Sequence, residues 1–332
     1  MYYWKVWINM RIGCVDIGSN AVRTQIVEFG DNHYFKTLYQ KRYPIRLGKS
    51  VFTNGKLKKK LIAAVAQKLL SFSNKLEKYS VDTHRLVATS ACREASNVQE
   101  LLDVVYESSG LLIEVIDGAE EARLVQSAIS KLINPKIKNW LFMDLGGGSL
   151  ELGIANRNRL EEVHTLPLGA VRIMREFTNP IFDLSGAKSH SKRVLREALN
   201  RDLKSYSDFK KIYATGGNVQ SYSRLIDNSI KNKKREFVKD VSSIRAASIK
   251  NWTNKLASAD SILRSVKYGV HHSRSDVIVP AGIVCLEIIG LLNLEFIEVP
   301  QVGLRDGLLI DLYNSKLENS EIKILKGVKV NG

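Results

Sequence analysis

A chain of 332 residues, 44% hydrophobic and 25% charged, is long enough for two globular domains with their own cores. The three cysteines, Cys14, Cys92 and Cys285, have neither disulfide nor metal-site spacing, which argues against a disulfide framework and favours a reducing compartment. We recognise no signal peptide and no transmembrane span, and we therefore expect a cytoplasmic protein without a membrane partner.

Fifty Lys and Arg residues against 34 Asp and Glu residues give a net charge of +16. Such an excess favours an anionic partner, whether nucleic acid, a membrane surface or a polyanionic small molecule. The basic residues are spread along the chain, and the two small basic clusters, residues 56–60 and 231–235, are typical of solvated surface. Because no recognition motif for nucleic acid accompanies the charge, we expect no specific nucleic-acid partner.

The first half of the chain opens with β-rich sequence. Residues 1–9 precede Met10, which is a candidate for the natural start of the protein. An apolar strand over residues 11–16 ends in the turn Asp16-Ile-Gly-Ser-Asn20, and two further strands are predicted over residues 21–29 and 34–46. Apolar spacing and cap residues then predict an alternating pattern: helix 57–79, strand 83–88, helix 97–108 capped by Ser96 or Asn97, strand 112–116 and a helix opening at Gly118.

The pattern restarts after a polar linker at residues 134–139. A strand over residues 140–144, a glycine-rich turn and two strands over residues 151–156 and 161–167 repeat the opening design. The remainder is predicted as helices over 188–205, a strand over 211–214, a charge-rich helical region to 272, a buried helix and then a strand within 277–299, a closing helix over 304–313 and a loose polar tail from 315.

Two halves that share a β-β-β-α-β-α order predict an α/β protein of two ribonuclease-H-like domains facing each other across a cleft. We expect the first domain to span residues 1–130 and the second to span residues 131–303. The closing segment, residues 304–332, is a candidate addition to the first domain.

Three glycine turns, at residues 16–20, 144–149 and 214–218, each follow an apolar strand. They therefore stand at strand carboxyl ends, where open α/β sheets bind ligands. Glycine lets the backbone approach a ligand closely, and successive N–H groups in such a turn form an anion cradle. None fits the P-loop or the dinucleotide-binding pattern. One such turn is commonly structural, but three in equivalent places predict a phosphate-binding cleft.

Seven motifs, which together span residues 15–308, carry a family resemblance: Val15-Asp-Ile-Gly-Ser-Asn20 with Arg23, Ala88-Thr-Ser-Ala-Cys-Arg-Glu-Ala-Ser-Asn97, Ile116-Asp-Gly-Ala-Glu-Glu-Ala-Arg-Leu124, Asp144-Leu-Gly-Gly-Gly-Ser-Leu-Glu151, Leu166-Pro-Leu-Gly-Ala-Val-Arg172, Arg274-Ser-Asp-Val-Ile-Val-Pro280 and Gly303-Leu-Arg-Asp-Gly-Leu308. With them the chain resembles the exopolyphosphatase/guanosine pentaphosphate phosphohydrolase (Ppx/GppA) family. That family belongs to the superfamily of actin, the heat-shock chaperone ATPases and the sugar kinases. Longer members carry an additional HD-like domain, so the chain resembles the short, two-domain form.

The resemblance implies a catalytic base and a metal site. Glu121 matches the proposed base, which would orient the attacking water. Its alternative role is that of an ordinary acidic residue in the first turn of a helix. Asp144 and Glu151 match the metal-linked carboxylates, expected to hold Mg²⁺ or another divalent cation against the phosphates, with Asp16 as a further metal candidate.

The resemblance also implies a set of phosphate-binding residues. Guanidinium groups match phosphate oxygens in a two-pronged way, which favours Arg23 and Arg93 as clamps. Arg274 resembles another family arginine near the cleft, with a surface ion pair to Asp276 as its alternative. Backbone N–H groups and polar side chains of the three turns complete the set: Gly18, Ser19, Asn20, Gly146, Gly147, Gly148, Ser149, Gly216, Gly217 and Asn218.

These residues imply an Mg²⁺-dependent exopolyphosphatase that releases orthophosphate from polyphosphate, with pppGpp as a competing or additional substrate. The alternative is a non-catalytic or weakly catalytic regulatory protein that binds (p)ppGpp or another nucleotide. Kinase activity rests on superfamily analogy alone, and nucleic-acid binding rests on charge alone. Asn218 stands where the family commonly has Thr, which leaves recognition of a base or a terminal phosphate open. Homodimers are common in the family, but the sequence identifies no interface.

Overall fold

Two mixed β-sheets packed against helices make up the part of the chain that the computed structural model describes, residues 10–30, 35–157, 159–199, 206, 209–227 and 241–327. The N-terminal residues 1–9 and the basic cluster 231–235 lie outside the described residues. The strands are β1 (Met10–Ile17), β2 (Val22–Phe29), β3 (Phe35–Tyr43), β4 (Thr83–Ala88), β5 (Ile113–Val115), β6 (Asn139–Leu145), β7 (Leu150–Asn156), β8 (Arg159–Leu166), β9 (Lys211–Thr215), β10 (Val241–Arg245) and β11 (Phe296–Pro300).

Helices follow most of the strands. They are α1 (Leu47–Asn54), α2 (Lys59–Lys78), α3 (Ser90–Glu94), α4 (Val98–Ser109), α5 (Gly118–Ser130), α6 (Ala170–Glu176), α7 (Leu184–Leu199), α8 (Val219–Ile226), α9 (Ala246–Ala257), α10 (Ser261–Val266), a 3₁₀ turn (His272–Arg274), α11 (Ile278–Leu292) and α12 (Leu304–Gly327). Among the residues described, no helix is both long and apolar enough to cross a membrane.

The first sheet has the order β3-β2-β1-β4-β5. β1 pairs antiparallel with β2 and parallel with β4, and β3 pairs antiparallel with β2. The sequence of β1 is nearly continuously apolar, and all but one of its residues are buried, as expected of a central strand covered on both faces. Helix α2 covers this sheet with a stripe at helical spacing that includes Ile62, Val65, Leu69, Phe72 and Leu76.

The second sheet has the order β10-β11-β9-β6-β7-β8. Strands β6, β7 and β8 form an antiparallel meander, while β9 lies parallel to β6 on its other side. The hairpins β1–β2 and β6–β7 are equivalent. Each closes with a four-residue loop whose first glycine donates to the carbonyl three residues later, Gly18 N to Ala21 O at 3.1 Å and Gly146 N to Ser149 O at 3.0 Å. The predicted duplication and the two-domain fold class are confirmed.

Helices α5 and α12 lie between the two sheets. Their apolar residues, such as Leu124 and Leu308, share one buried cluster with Ile12 of the first sheet and Phe142 of the second. The two helices approach so closely that a Cβ on Gly307 would stand 2.0 Å from the carbonyl oxygen of Leu124. Contact of α12 with β1 and β4 supports its proposed assignment to the first domain. The boundaries at residues 130 and 303 stay predictions.

Two local predictions were wrong, and one helix was missed. The region to residue 272 is not helical throughout: β10 alternates buried Ser242 and Ile244 with exposed neighbours and pairs antiparallel with β11. The closing helix does not end near residue 313 but extends to Gly327. Helix α1 was not anticipated. It begins where Gly48 N donates to the carbonyl of Ser19 at 2.8 Å, a contact that depends on the tertiary structure.

Candidate active site

A cleft of about 440 Å³ lies between the two sheets, at the carboxyl ends of β1, β6 and β9. Three backbone segments line it, and we name them the first glycine loop (residues 18–21), the second glycine loop (146–149) and the third glycine loop (215–218). The structure therefore brings together the three turns that the sequence singled out. Polar groups dominate the lining, as expected of a site for a charged ligand.

The first and second glycine loops face each other at very short range. A Cβ added to Gly147 would lie 3.2 Å from the backbone nitrogen of Asn20, and one added to Gly148 would lie 2.6 Å from Ser19 Oγ and 2.3 Å from Ser90 Oγ. A side chain at either position would force the facing loop or the serine side chains to shift. The close approach of the two domains therefore favours glycine here.

Helix α6 fixes the second glycine loop from behind. The backbone nitrogens of Ala170 and Val171, in its first turn, donate to the carbonyls of Gly146 and Gly147 at 3.1 and 2.8 Å. Arg172 adds a 2.8 Å bond from Nε to the carbonyl of Gly148, while its guanidinium stacks over Phe52. Its Nη2 also pairs with Glu94 at 2.5 Å. Arg172 belongs to one of the seven motifs, but no role was predicted for it from the sequence.

The third glycine loop packs against the end of β6. Gly216 has a φ of +104°, and a Cβ there would lie 2.3 Å from the carbonyl oxygen of Leu145. The guanidinium of Arg274 covers Gly217, and Arg274 Nη1 donates to Ser221 Oγ at 2.8 Å. Asp276, the alternative partner of Arg274, is paired with Arg46 and Lys49.

Three buried carboxylates converge beside the glycine loops. One ligand oxygen from each of Glu121, Asp144 and Glu151 lies within 4.8 Å of the others. Asp144 and Glu151 stand opposite each other in the β6–β7 ladder, and Glu121 comes from the first turn of α5. Its neighbour Glu120 instead pairs with Arg85 and Arg123. Glu121 thus lies in the cleft, whereas its neighbour Glu120 belongs to an ion-pair network at the surface.

Burial of these three carboxylates close to one another raises their pKa values. Burial first, and then the nearby charge of Asp16, raise the pKa of Asp144, Arg23 opposes the shift, and the net value is about 7. The pKa values of Glu121 and Glu151 are also raised, first by burial and then by the neighbouring carboxylates. For Glu151, Asp144 is the largest of these neighbours, while the Ser149 hydroxyl and Arg93 oppose the shift.

The three carboxylates fit a hard divalent cation. Among the described residues, no donor stands in hydrogen-bonding geometry to either carboxylate oxygen of the fully buried Glu151, although the Ser149 hydroxyl is close enough to affect its pKa. A buried carboxylate without a counter-charge is costly, and oxygen-rich clusters of this kind suit Mg²⁺ or Ca²⁺. Asp16, the further metal candidate, does not belong to this group and instead pairs with Arg23 at 2.5 Å.

Arg93 lies behind Glu121. Its Nη1 donates to the carbonyl of Ile116 at 2.8 Å and lies 3.4 Å from Glu121 Oε2. Of the described residues, those that line the cleft include Arg23 and Arg274 but not Arg93. The clamp role that sequence reasoning gave to Arg93 stays a prediction.

Two further arginines reach the cleft and were not among the predicted site residues. Arg305 lies at the start of α12, where Gln40 Oε1 accepts from its Nη1 and Nη2 at 2.8 and 3.1 Å when the amide is oriented to form these bonds. Arg42 lies on β3, in register with Arg23 on β2. The pairing of β2 with β3 could have suggested Arg42, because Arg23 was already a candidate.

The fold and the cleft define a class: a two-domain protein with the fold of actin and the heat-shock ATPases. An exopolyphosphatase from Cytophaga hutchinsonii shares this fold with a TM-score of 0.82 at 22% identity, over 92% of this chain and 98% of that one. A Ppx/GppA family member from Aquifex aeolicus aligns with a TM-score of 0.75 at 25% identity, over the same shares of the two chains.

Sequence comparison identifies the family, within this class, to which the chain belongs. The model of the Ppx/GppA phosphatase family matches residues 25–316, and the chain belongs to that family. Exopolyphosphatase 1 of Mycobacterium leprae is 26% identical over 328 residues, which cover 94% of this chain and 92% of that protein. A bifunctional 3-dehydroquinate synthase/phosphatase of Fusobacterium nucleatum is 26% identical over 312 residues, 88% of this chain, and the chain spans only 45% of its length. The predicted family is confirmed.

Proposed function

We propose that the protein hydrolyses the terminal phosphoanhydride bond of inorganic polyphosphate with Mg²⁺ and releases orthophosphate. The observation that carries this proposal is the convergence of Glu121, Asp144 and Glu151 beside three glycine loops. Membership of a phosphatase family and similarity to proteins named exopolyphosphatase support it. We also propose that the protein acts in the cytoplasm and that two copies form a homodimer.

Phosphoanhydride hydrolysis depends mainly on positioning and on charge stabilisation. Backbone N–H groups of the first and second glycine loops, with Arg23, would hold the terminal phosphoryl group and stabilise its developing charge. A divalent cation held by Asp144 and Glu151 would neutralise phosphate oxygens. The carboxylates of both residues are therefore assigned to the cation.

Glu121 would act as the general base. It lines the cleft from the first turn of α5, and Arg93 holds its carboxylate from the other side. A raised pKa makes Glu121 a stronger proton acceptor once it is ionised, which suits abstraction of a proton from water. Arg93 then serves as a positioning residue in this proposal, and Asp16 orients Arg23.

Hydrolysis of pppGpp to ppGpp is the second candidate function. The side-chain oxygen of Asn218 in the third glycine loop is buried and has no hydrogen-bond partner among the described residues. A hydroxyl or amino group of a nucleoside would satisfy that acceptor. This observation favours a nucleotide as an additional substrate.

Phosphate release from polyphosphate and from pppGpp, measured side by side with Mg²⁺, tests the proposal. We expect Glu121→Gln to reduce the rate about 100-fold or more, the usual contribution of a general base. Glu120→Gln is the matched control, because Glu120 lies in the same helical turn but pairs with Arg85 and Arg123. Equal rates for Glu121→Gln and the wild type would refute the base assignment. Binding without release from either substrate would instead favour a regulatory protein.

A further inference from the structure

Three successive peptide units of the second glycine loop face the same way. The carbonyls of Gly146 and Gly147 accept from backbone nitrogens in the first turn of α6, and the carbonyl of Gly148 accepts from Arg172 Nε at 2.8 Å. These peptide bonds are trans, so each N–H group points away from the carbonyl of its own peptide unit. The N–H groups of Gly147, Gly148 and Ser149 therefore point away from α6, toward the cleft that these residues line.

These three N–H groups are open to a ligand. Among the described residues, none of them donates to a backbone carbonyl or to a side chain. Successive N–H groups of this kind form an anion site. Backbone bonds from α6 fix the direction of the first two, whereas the direction of the third, on Ser149, depends on a side chain. That side chain is Arg172, which holds the carbonyl of the same peptide unit.

The first domain holds the guanidinium of Arg172. Its Nη2 pairs with Glu94 at 2.5 Å, and its Cζ lies 4.1 Å from the centroid of the Phe52 ring. Glu94 Oε1 also accepts from Ser90 Oγ at 2.9 Å, and Ser90 faces Gly148 across the cleft. Arg172 and Glu94 are not among the described residues that line the cleft. Any effect of Arg172 on a bound phosphate therefore passes through the glycine loop.

We infer that Arg172 is a positioning residue that presents the Ser149 N–H to the terminal phosphoryl group, and that Glu94 of the first domain holds Arg172 in place. This inference rests on the proposed function and deepens it, because the phosphate cradle of the second domain becomes complete through a contact with the first. The role requires a guanidinium. Its Nε and Nη2 reach the carbonyl and the carboxylate at once, which the single ammonium of a lysine does not reproduce.

The test compares hydrolysis of tripolyphosphate by the wild type, Arg172→Gln and Arg172→Lys, with Mg²⁺. We expect kcat to fall about 100-fold in both variants, the usual effect of losing one preorganised donor, with a smaller change in KM. Full activity of Arg172→Lys would overturn the inference, because charge alone would then be sufficient.

Arg175→Gln is the matched control. Arg175 lies on the same helix and also reaches the first domain, where its Nη2 donates to Thr53 Oγ1 at 2.9 Å. Its hydrogen bonds are to Thr53, so its replacement should leave kcat unchanged. A loss in Arg175→Gln as large as that in Arg172→Gln would show that any contact between the domains has this effect, and would overturn the inference.

Glu94→Ala tests the link to the first domain. We expect a smaller fall in kcat than in Arg172→Gln, because the bond from Nε to Gly148 remains. The double variant should be no slower than Arg172→Gln alone, whereas additive losses would overturn the link. The Glu94 side chain is 41% exposed, so loss of this ion pair should leave the melting temperature nearly unchanged. Glu94→Ala therefore reports on positioning even if replacement of Arg172 lowers stability.

The proposed function fails on a different result, namely no phosphate release by the wild type. Thermal-shift titrations with tripolyphosphate decide the role of Arg172 in that case. The apparent Kd should rise in Arg172→Gln and Arg172→Lys but not in Arg175→Gln. Equal affinities in all three variants and the wild type would overturn the inference.

Discussion

Arg93 Nη1 lies 3.4 Å from Glu121 Oε2 and is held there by a 2.8 Å hydrogen bond to the carbonyl of Ile116. The contact places a positive charge beside the proposed base, on a residue that is not among those lining the cleft. Arg93 lowers the pKa of Glu121, against the larger effects of burial, Glu151 and Asp144. The proton affinity of Glu121 therefore depends on Arg93, which was predicted from the sequence to bind phosphate groups of the substrate.

Replacing Arg93 by Gln should change the pH dependence of the reaction. Loss of the positive charge raises the pKa of Glu121 further, and the base acts only when it is ionised. The acidic limb of the profile of kcat/KM against pH should move to higher pH, with Arg93→Lys restoring part of the shift. A profile that keeps its shape while KM alone rises would show that Arg93 is a phosphate clamp instead.

The metal-free protein should lose stability as the pH rises. The folded-state pKa of Asp144 is raised to about 7, against an unfolded value of about 4. The folded state therefore binds the proton more tightly, and this contribution to stability is complete below about pH 4 and is lost as the pH rises through 7. In EDTA, the free energy of unfolding should fall by at least about 1 kcal/mol between pH 5 and pH 8.

Mg²⁺ should reverse that loss, because a bound cation favours ionised carboxylates. The increase in melting temperature on adding Mg²⁺ should be larger at pH 8 than at pH 6. Glu151→Gln should remove most of the Mg²⁺ response and stabilise the metal-free protein. A Mg²⁺ response of the same size in Glu151→Gln would exclude Glu151 as a ligand.

Adding one methyl group to the second glycine loop should separate the two domains at the cleft. A Cβ on Gly148 would meet Ser90 Oγ and Ser19 Oγ of the first domain, and the resulting shift should reduce phosphate release about 100-fold. Gly290→Ala, on an exposed part of α11 with nothing within 4 Å of the new Cβ, should leave the rate unchanged and stabilise the protein by about 0.5 kcal/mol. Full activity in Gly148→Ala would contradict the closed arrangement of the two loops.

Substitution of Gly307 by Ala should affect stability and activity together. The new Cβ would stand 2.0 Å from the carbonyl of Leu124, so α12 must move away from α5, at a cost of about 1 to 3 kcal/mol. Because α5 also carries Glu121, we expect a lower kcat as well as a lower unfolding midpoint in urea. A loss of stability with unchanged kcat would show that α5 keeps its position when α12 shifts.

The sequence revealed the features that depend on local pattern. Asp16 and Asp144 follow apolar strands and precede glycine turns, which placed them correctly at the ends of β1 and β6. Glu121 was separated from Glu120 only by family resemblance, because both have the composition of a first helical turn. The hairpin register that sets Asp144 opposite Glu151 follows from the four-residue loop.

The features that escaped prediction depend on contacts between distant segments. The direction of the Arg93 side chain is set by the carbonyl of Ile116, which belongs to a different strand–helix connection. Arg42 Nη1 donates to the hydroxyl of Ser273, which lies 231 positions later in the chain. Helix α1 begins with glycine contacts to the first glycine loop that no local pattern encodes.

The position of α12 between the sheets has a consequence for synthesis of the protein. Cys14 Sγ on β1 lies 3.9 Å from the carbonyl of Arg305, so the first strand is covered by residues 291 positions later in the chain. During translation the first sheet emerges long before this cover exists. Its apolar face against α12 stays exposed, or shielded by a chaperone, until the closing helix leaves the ribosome. A helix that begins about 290 positions after β1 thus completes the core around that strand.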